Sequence, residues 1–317
     1  MSDTVGIIGY GRIGSALERI AAAAHRRVLT WDAAPGLSVT APSLEAAVIS
    51  ADLLFLCVPS WSARTVAARV ARILPAGAAV VSFAKGIEAE TGLCMDEVLD
   101  AALGNSATWG VAGGPMFAEE LARGRSGFLV LGLPAQAGAS ARTAIPRVRE
   151  LFEGSNVHVD ITKDAHGVAL GGVLKNVYAT LLGVAHGVDI GSNAFGALML
   201  AAQAELIEVG VALGGKRATL AGLAGVGDFV ATVSSAESRN RHTGECIASG
   251  EMASAPGEGC VSLAPFIERL TREGVGMPPL LATLADIIVR GVRPQPALRG
   301  LIARLPIRPA QTTRSNG

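Results

Sequence analysis

The chain has 317 residues, half of them hydrophobic and 17% charged, which gives room for two domains and is too apolar for general disorder. Its 27 basic residues balance its 27 acidic ones, so no net field draws the whole molecule to nucleic acid or an anionic membrane. The four cysteines form no CxxC pair and fit no zinc signature, so they read as free thiols and no metal site is expected.

The first half alternates apolar runs with Ala-rich segments of helical period. Strands are predicted at Val5–Ile8, Arg27–Trp31, Leu53–Val58, Ala78–Ser82, Thr108–Ala112 and Gly127–Leu131. Helices are predicted at Ile13–Ala24, Ser60–Leu74 and Thr91–Leu103. Repeated strand–helix–strand units imply right-handed crossovers and a parallel sheet covered on both faces. The run from Leu53 to Val58 is apolar on both sides, as a central parallel strand should be. From Lys163 onward the segments are long and helical. The expected fold is therefore α/β, a Rossmann-type parallel-sheet domain over residues 1–160 and an all-α domain over 161–317. The polar tail after Pro306 reads as frayed.

The N-terminus enters an apolar strand at once and has no basic region followed by a cleavable apolar one. The most apolar stretch, Gly167 to Val188, carries Lys175, Asn176 and His186, which a membrane-spanning helix rarely holds without partners. A cytoplasmic protein with no membrane insertion is expected.

Gly9-Tyr10-Gly11-Arg12-Ile13-Gly14 is a GxGxxG placed after a strand and before a helix. In that setting the first Gly makes the tight turn and the second lets the backbone approach a pyrophosphate. The third permits close helix–strand packing, and the helix N-terminus faces the phosphate charge. Asp32 closes the second strand, where a carboxylate accepts hydrogen bonds from the ribose hydroxyls of NAD and repels the 2′-phosphate of NADP. Arg12, Arg26 and Arg27 stand nearby and leave NADP open. Pro59 ends the third strand at the carboxyl edge of the sheet, where ligands bind in such folds.

Four further segments carry chemistry. Lys85, in Phe83-Ala84-Lys85-Gly86-Ile87, follows the fourth strand and can hold an anion as a point charge. Gly113-Gly114-Pro115-Met116-Phe117-Ala118 follows the fifth and forms a tight turn with exposed amides. Lys175 lies inside the apolar helix Val168–Val184, where desolvation lowers an ammonium's pKa toward the range of a proton donor or acceptor. Asp228, in Gly225-Val226-Gly227-Asp228-Phe229, precedes Thr232 and the group Ser238-Arg239-Asn240-Arg241. That group opens a helix ending near Ala248 and can bind phosphate through guanidinium and helix-start amides. Asp228 can fix Lys175 or bond a substrate hydroxyl.

Together these segments resemble the bacterial NAD(P)-dependent glycerol-3-phosphate dehydrogenases over roughly residues 5 to 260. The matching stretches are GYGRIG from Gly9, VPS from Val58, AKGIE from Ala84, GGPMFAEE from Gly113 and LKNVYA from Leu174. They continue with GVDIGSNAFGAL from Gly187, GLAGVGDFVAT from Gly222, SRNRHTG from Ser238 and GEG from Gly257. The resemblance implies a homodimer that interconverts dihydroxyacetone phosphate and sn-glycerol 3-phosphate with NAD or NADP, the small phosphorylated substrate being its partner. It makes Lys175 the general acid/base, with Lys85 and Asp228 beside it. Gly114, Thr232, Ser238, Arg239 and Asn240 would surround substrate, and Arg12, Ile13, Ala118, Arg239, Glu258 and Lys85 would meet cofactor. The family usually has Ser-Gly-Pro-Ser where this chain has Gly113-Gly114-Pro115-Met116, and a basic residue near Asp32. Two other readings stay open. One is a related dehydrogenase for another small phosphorylated or phosphonate ketone or alcohol. The other is a catalytically silent NAD-binding regulator, against which Lys175, Asp228 and Arg239 all speak.

Overall fold

A computed structural model describes residues 3–104, 107–136, 141–251, 253 and 256–305; within it, the side chains of 141–144 are not described. The tail expected to fray after Pro306 lies outside these residues.

The apolar runs of the first half form one seven-stranded sheet in the order β2-β1-β3-β4-β5-β6-β7. The strands are β1 (Thr4–Ile8), β2 (Arg27–Trp31), β3 (Leu53–Leu56), β4 (Ala79–Ser82), β5 (Thr108–Gly113), β6 (Gly127–Gly132) and β7 (Val157–Thr162). β1 to β5 are mutually parallel, but β6 pairs antiparallel with β5, and β7 runs parallel to β6. The expected parallel pairing holds except between β5 and β6, where only the short α5 (Ala118–Ala122) intervenes. A chain that reverses through so short a connection comes back antiparallel, whereas a parallel return needs a full crossover. β7 was not foreseen, and the third strand stops at Leu56, two residues early.

The helices that cover this sheet are α1 (Arg12–Ala23), α2 (Leu44–Val48), α3 (Ser60–Ala71), α4 (Met95–Leu103), α5 and α6 (Ala141–Phe152). Pro59 caps α3, and the helix expected from Thr91 begins at Met95. Two apolar clusters separate along the sheet faces. One gathers Val5, Ile7, Leu17, Phe55 and Phe152; the other joins Ile8, Leu54 and Leu56 to the helices beyond residue 164.

Those helices are α7 (Ala165–Gly187), α8 (Ser192–Ala212), α9 (Arg217–Ala221), α10 (Asp228–Ser234), α11 (Arg239–Ser249), α12 (Glu258–Arg272), α13 (Pro279–Ile288) and α14 (Pro294–Ile302). α7 is apolar all round and therefore takes the centre. The Asp164 side chain caps its start by accepting from Gly167 N. It packs on α8, α11 and α12 and on the edges of β5 and β6. Gly183 and Gly244 let α7 and α11 touch backbone to backbone: a Cβ on Gly183 would lie 2.2 Å from the Arg241 carbonyl oxygen, and one on Gly244 2.2 Å from that of Thr180. This crossing brings the start of α11 beside the middle of α7, where Lys175 sits.

By length and composition α7 and α8 are both apolar enough to cross a membrane, but the apolar window of α7 is wholly buried inside the protein and that of α8 28% buried.

Candidate active site

A cleft of about 760 Å³ runs along the carboxyl edge of β1 to β5 and continues onto α7 and α11. At one end lies the Gly-rich turn. Gly9 has φ +98°, and a Cβ there would meet the Cys57 carbonyl oxygen at 2.6 Å. A Cβ on Gly14 would meet the Gly9 carbonyl oxygen at 2.1 Å, whereas one on Gly11 would point into open space. Among the described residues no side chain caps the start of α1, which leaves its first-turn amides to receive an anion. The residues fit a dinucleotide: an open approach at Gly11, free amides behind it, and a carboxylate at the next strand end. That carboxylate, Asp32, accepts from Tyr10 N at 2.6 Å and Ala34 N at 2.8 Å and faces the cleft. Arg12 and Ile13 line the same end, and the Arg12 guanidinium is held 2.8 Å from Glu119 on the opposite lip.

The other end is built around one carboxylate. A π turn at Leu223–Gly227 delivers Asp228 to the start of α10, 2% exposed; such turns recur at functional sites. Lys85 Nζ donates to Asp228 Oδ2 at 2.6 Å and to the Gly114 carbonyl at 2.9 Å. Lys175 Nζ lies 3.2 Å from Asp228 Oδ1 and donates to Thr232 Oγ1 at 3.0 Å. Burial pushes the Lys175 pKa down, to about 8, against the pull of Asp228 and with the repulsion of Lys85. Burial alone would raise the Asp228 pKa, but the two ammoniums overcome it and hold the carboxyl below its ordinary range.

Both lysines, Thr232, Ser238, Arg239 and Asn240 line the cleft with Pro59, Ala118 and Glu258. Arg239 is exposed and enters no ion pair with the described residues. Ser238 is buried and caps α11, accepting from Arg241 N. Glu258 opens α12 and accepts from Ser60 Oγ at 2.9 Å, so it joins the two halves of the chain at the cleft floor. Burial raises its pKa, while Ser60 and the charge of Arg239 act the other way.

Gly114, Asp228 and Gly14 stand behind the wall. Gly114, at φ +87°, turns its carbonyl onto Lys85, and Gly14 packs under the turn. A further residue belongs to this site: Asn176, 3% exposed. Its side chain donates to the Lys85 carbonyl at 2.9 Å and accepts from Asn240 Nδ2 at 2.7 Å. Asn240 Oδ1 in turn accepts from Gly259 N at 2.9 Å. One chain of amides thus ties β4's loop, α7, α11 and α12 together. Its only sequence signal was adjacency to Lys175.

Residues 36–139 and 164–299 match the N-terminal and C-terminal models of NAD-dependent glycerol-3-phosphate dehydrogenase. A glycerol-3-phosphate dehydrogenase of Salinibacter ruber is 37% identical over 79% of this chain and 78% of its own. One of Moorella thermoacetica is 34% identical over 92% and 93%. This chain belongs to the NAD-dependent glycerol-3-phosphate dehydrogenase family. The crystal structure of the Coxiella burnetii glycerol-3-phosphate dehydrogenase superposes with a TM-score of 0.83 over 96% of this chain and 99% of that one, at 24% identity, a likeness of fold. The family match extends to residue 299, well past Glu258, where the motifs read from the sequence ran out.

Proposed function

We infer that the protein is an NAD(P)-dependent oxidoreductase that interconverts sn-glycerol 3-phosphate and dihydroxyacetone phosphate. The observation that carries this is a buried ammonium, Lys175, tuned to about 8 in a cleft whose other end fits a dinucleotide. A group with a pKa near the working pH can both give and take a proton. Bound at the Gly-rich turn, the nicotinamide cofactor supplies the hydride chemistry. Gly9, Gly11, Arg12, Ile13 and Asp32 would hold it, with Pro59, Ala118 and Glu258 along its course.

Lys175 protonates the carbonyl oxygen in reduction and takes the hydroxyl proton in oxidation. Asp228 keeps the Lys175 side chain aimed and balances the second cation. Lys85 and Arg239 supply positive charge for the phosphate, with the Arg239 guanidinium suited to bidentate binding. Ser238, Thr232 and Asn240 complete the polar wall. The division near residue 160 follows from the same reading, a cofactor-holding unit and a helical unit that brings the proton donor. Consumption of NADH with dihydroxyacetone phosphate, repeated with NADPH, tests the activity. Absence of turnover with both cofactors would refute it.

Met116 supports a second reading. It lines the cleft and packs into the apolar cluster behind β6, a thioether where relatives usually carry a hydroxyl. A related phosphorylated or phosphonate ketone that needs no hydroxyl there fits this wall equally well, and a substrate panel separates the two.

The proposed assembly is a homodimer through α8. Leu200 on this helix is 65% exposed and lies on an open face with Gly196, Ala197 and Ala204. Glu208 on α8, exposed and paired with Arg217, disfavours lipid as the cover, which accords with a cytoplasmic location. Light scattering of wild type and Leu200→Glu checks the dimer: a monomeric wild type contradicts it.

A further inference from the structure

We propose that Arg69 and Trp31 form a stacking platform for the purine of the cofactor, so that affinity for the adenosine half rests on a layered indole–guanidinium–base contact. The inference rests on the reading of the cleft as a dinucleotide site. The Arg69 guanidinium carbon lies 5.9 Å from the centroid of the Trp31 ring, within the range of a cation–π contact. Both residues line the cleft. Trp31 ends β2 and is followed at once by Asp32, whose carboxylate stands where a ribose would be held. A base attached to that ribose therefore falls beside residue 31.

The facing wall is α3. Ser62, Val66 and Arg69 all line the cleft, and their spacing of four and three residues puts them on one stripe of the helix. Val66 offers the apolar contact and Arg69 the planar one. Arg69 is about half exposed, at 47%, and its Nη2 donates to Glu45 Oε1 at 2.6 Å. Glu45 belongs to α2, so the guanidinium is tethered from a third element as well as resting on Trp31. A tethered planar cation held over an indole can offer a π surface to a base that enters the same cleft. Lysine, a point charge on a flexible stem, would not present that plane. The layer engages the base itself, with the guanidinium already bonded to Glu45, so NAD and NADP should use it alike.

The test is direct binding, followed by quenching of protein fluorescence, with three probes: NADH, NADPH and reduced nicotinamide mononucleotide, which lacks the adenosine half. Wild type must bind NADH, or the dinucleotide reading itself fails. Arg69→Ala should weaken NADH and NADPH equally, by about three- to ten-fold on the scale of a partly exposed cation–π contact, and leave the mononucleotide unchanged. Arg69→Lys should behave like Arg69→Ala. Glu45→Gln, which alters a positioning residue, should shift NADH in the same direction by less and spare the mononucleotide. Loss of NADPH affinity alone would make Arg69 a phosphate anchor and overturn the platform. Unchanged affinities, full recovery with lysine, or equal weakening of the mononucleotide would overturn it too.

Discussion

Lys85 and Lys175 share a single buried carboxylate, each placed against a different oxygen of Asp228. The two ammoniums and one carboxylate leave the site with a net positive charge in the interior, which favours a phosphate-bearing ligand over a neutral one. They also divide the work. Lys85 is fixed by Asp228 and the Gly114 carbonyl. Lys175, more deeply desolvated, is the one whose proton is loosened.

The first prediction follows from the Lys175 pKa of about 8. Reduction of the ketone needs the ammonium, so kcat/KM in that direction should fall as pH rises through about 8. Oxidation needs the free amine, so it should fall as pH drops through the same value. Lys175→Ala should lower kcat by about 10²- to 10⁴-fold in both directions, the usual contribution of a positioned acid–base group, and bind NADH normally. A variant that keeps wild-type kcat and its pH profile rules out Lys175 as the proton carrier.

Asp228→Asn removes the only carboxylate that pairs with either ammonium among the described residues and leaves two cations facing each other. Breaking a buried pair of this sort costs about 3–5 kcal/mol, to be read as a loss of unfolding free energy in urea. Because Asp228 holds the Lys175 pKa up against burial, the remaining activity should have its pH midpoint shifted to lower pH. An unchanged midpoint would mean that Asp228 does not govern the lysine.

Much of this site was legible in the sequence because its signals are local. The Gly9–Gly14 turn, a lysine amid apolar neighbours at 175, and Asp228 before Ser238-Arg239 each declare themselves within a few residues. The direction of β6 does not, since an apolar run has the same period whichever way it is paired. β7 reads Val-His-Val-Asp-Ile-Thr, the half-polar alternation of an edge strand, and it follows a helix whose internal Pro146 reads as a helix breaker. Asn176 escaped for a different reason. Its role depends on the Lys85 carbonyl and Asn240, which only the tertiary packing brings to it.

Asp32 gives a selectivity prediction. Its carboxylate is tied to the Gly-rich turn through Tyr10 N and to its own loop through Ala34 N, which fixes a negative charge at the point where the proposed dinucleotide would carry a 2′-phosphate. Asp32→Asn retains an acceptor oxygen and removes the charge. The ratio of NADPH to NADH in kcat/KM should rise by at least about ten-fold, a modest share of the repulsion between close charges at a protein surface. A ratio that stays put would show that Asp32 serves the turn alone.

The last prediction concerns how the two halves hold together. His166, in the first turn of α7, has Nδ1 2.9 Å from Asp96 Oδ2 on α4 and Nε2 3.0 Å from the Leu213 carbonyl beyond α8. Both neighbours are acceptors, so only the imidazolium, with two N–H groups, satisfies both at once. Burial works against the charge, but Asp96, the nearby Glu97 and the Leu213 carbonyl outweigh it and raise the pKa above its usual value. Arg269 pairs with Glu97 and extends the same network to α12. A histidine pKa raised on folding contributes stability that is fully present below the unfolded value, near pH 6.5, and is lost as pH rises through the folded value. Unfolding free energy should therefore decline across that window. His166→Gln should flatten the decline and cost roughly 1–3 kcal/mol at the acidic end, the worth of hydrogen bonds to a charged group. Urea titrations of both proteins from pH 5.5 to 9 check this, and parallel curves would exclude His166 as the source of the slope.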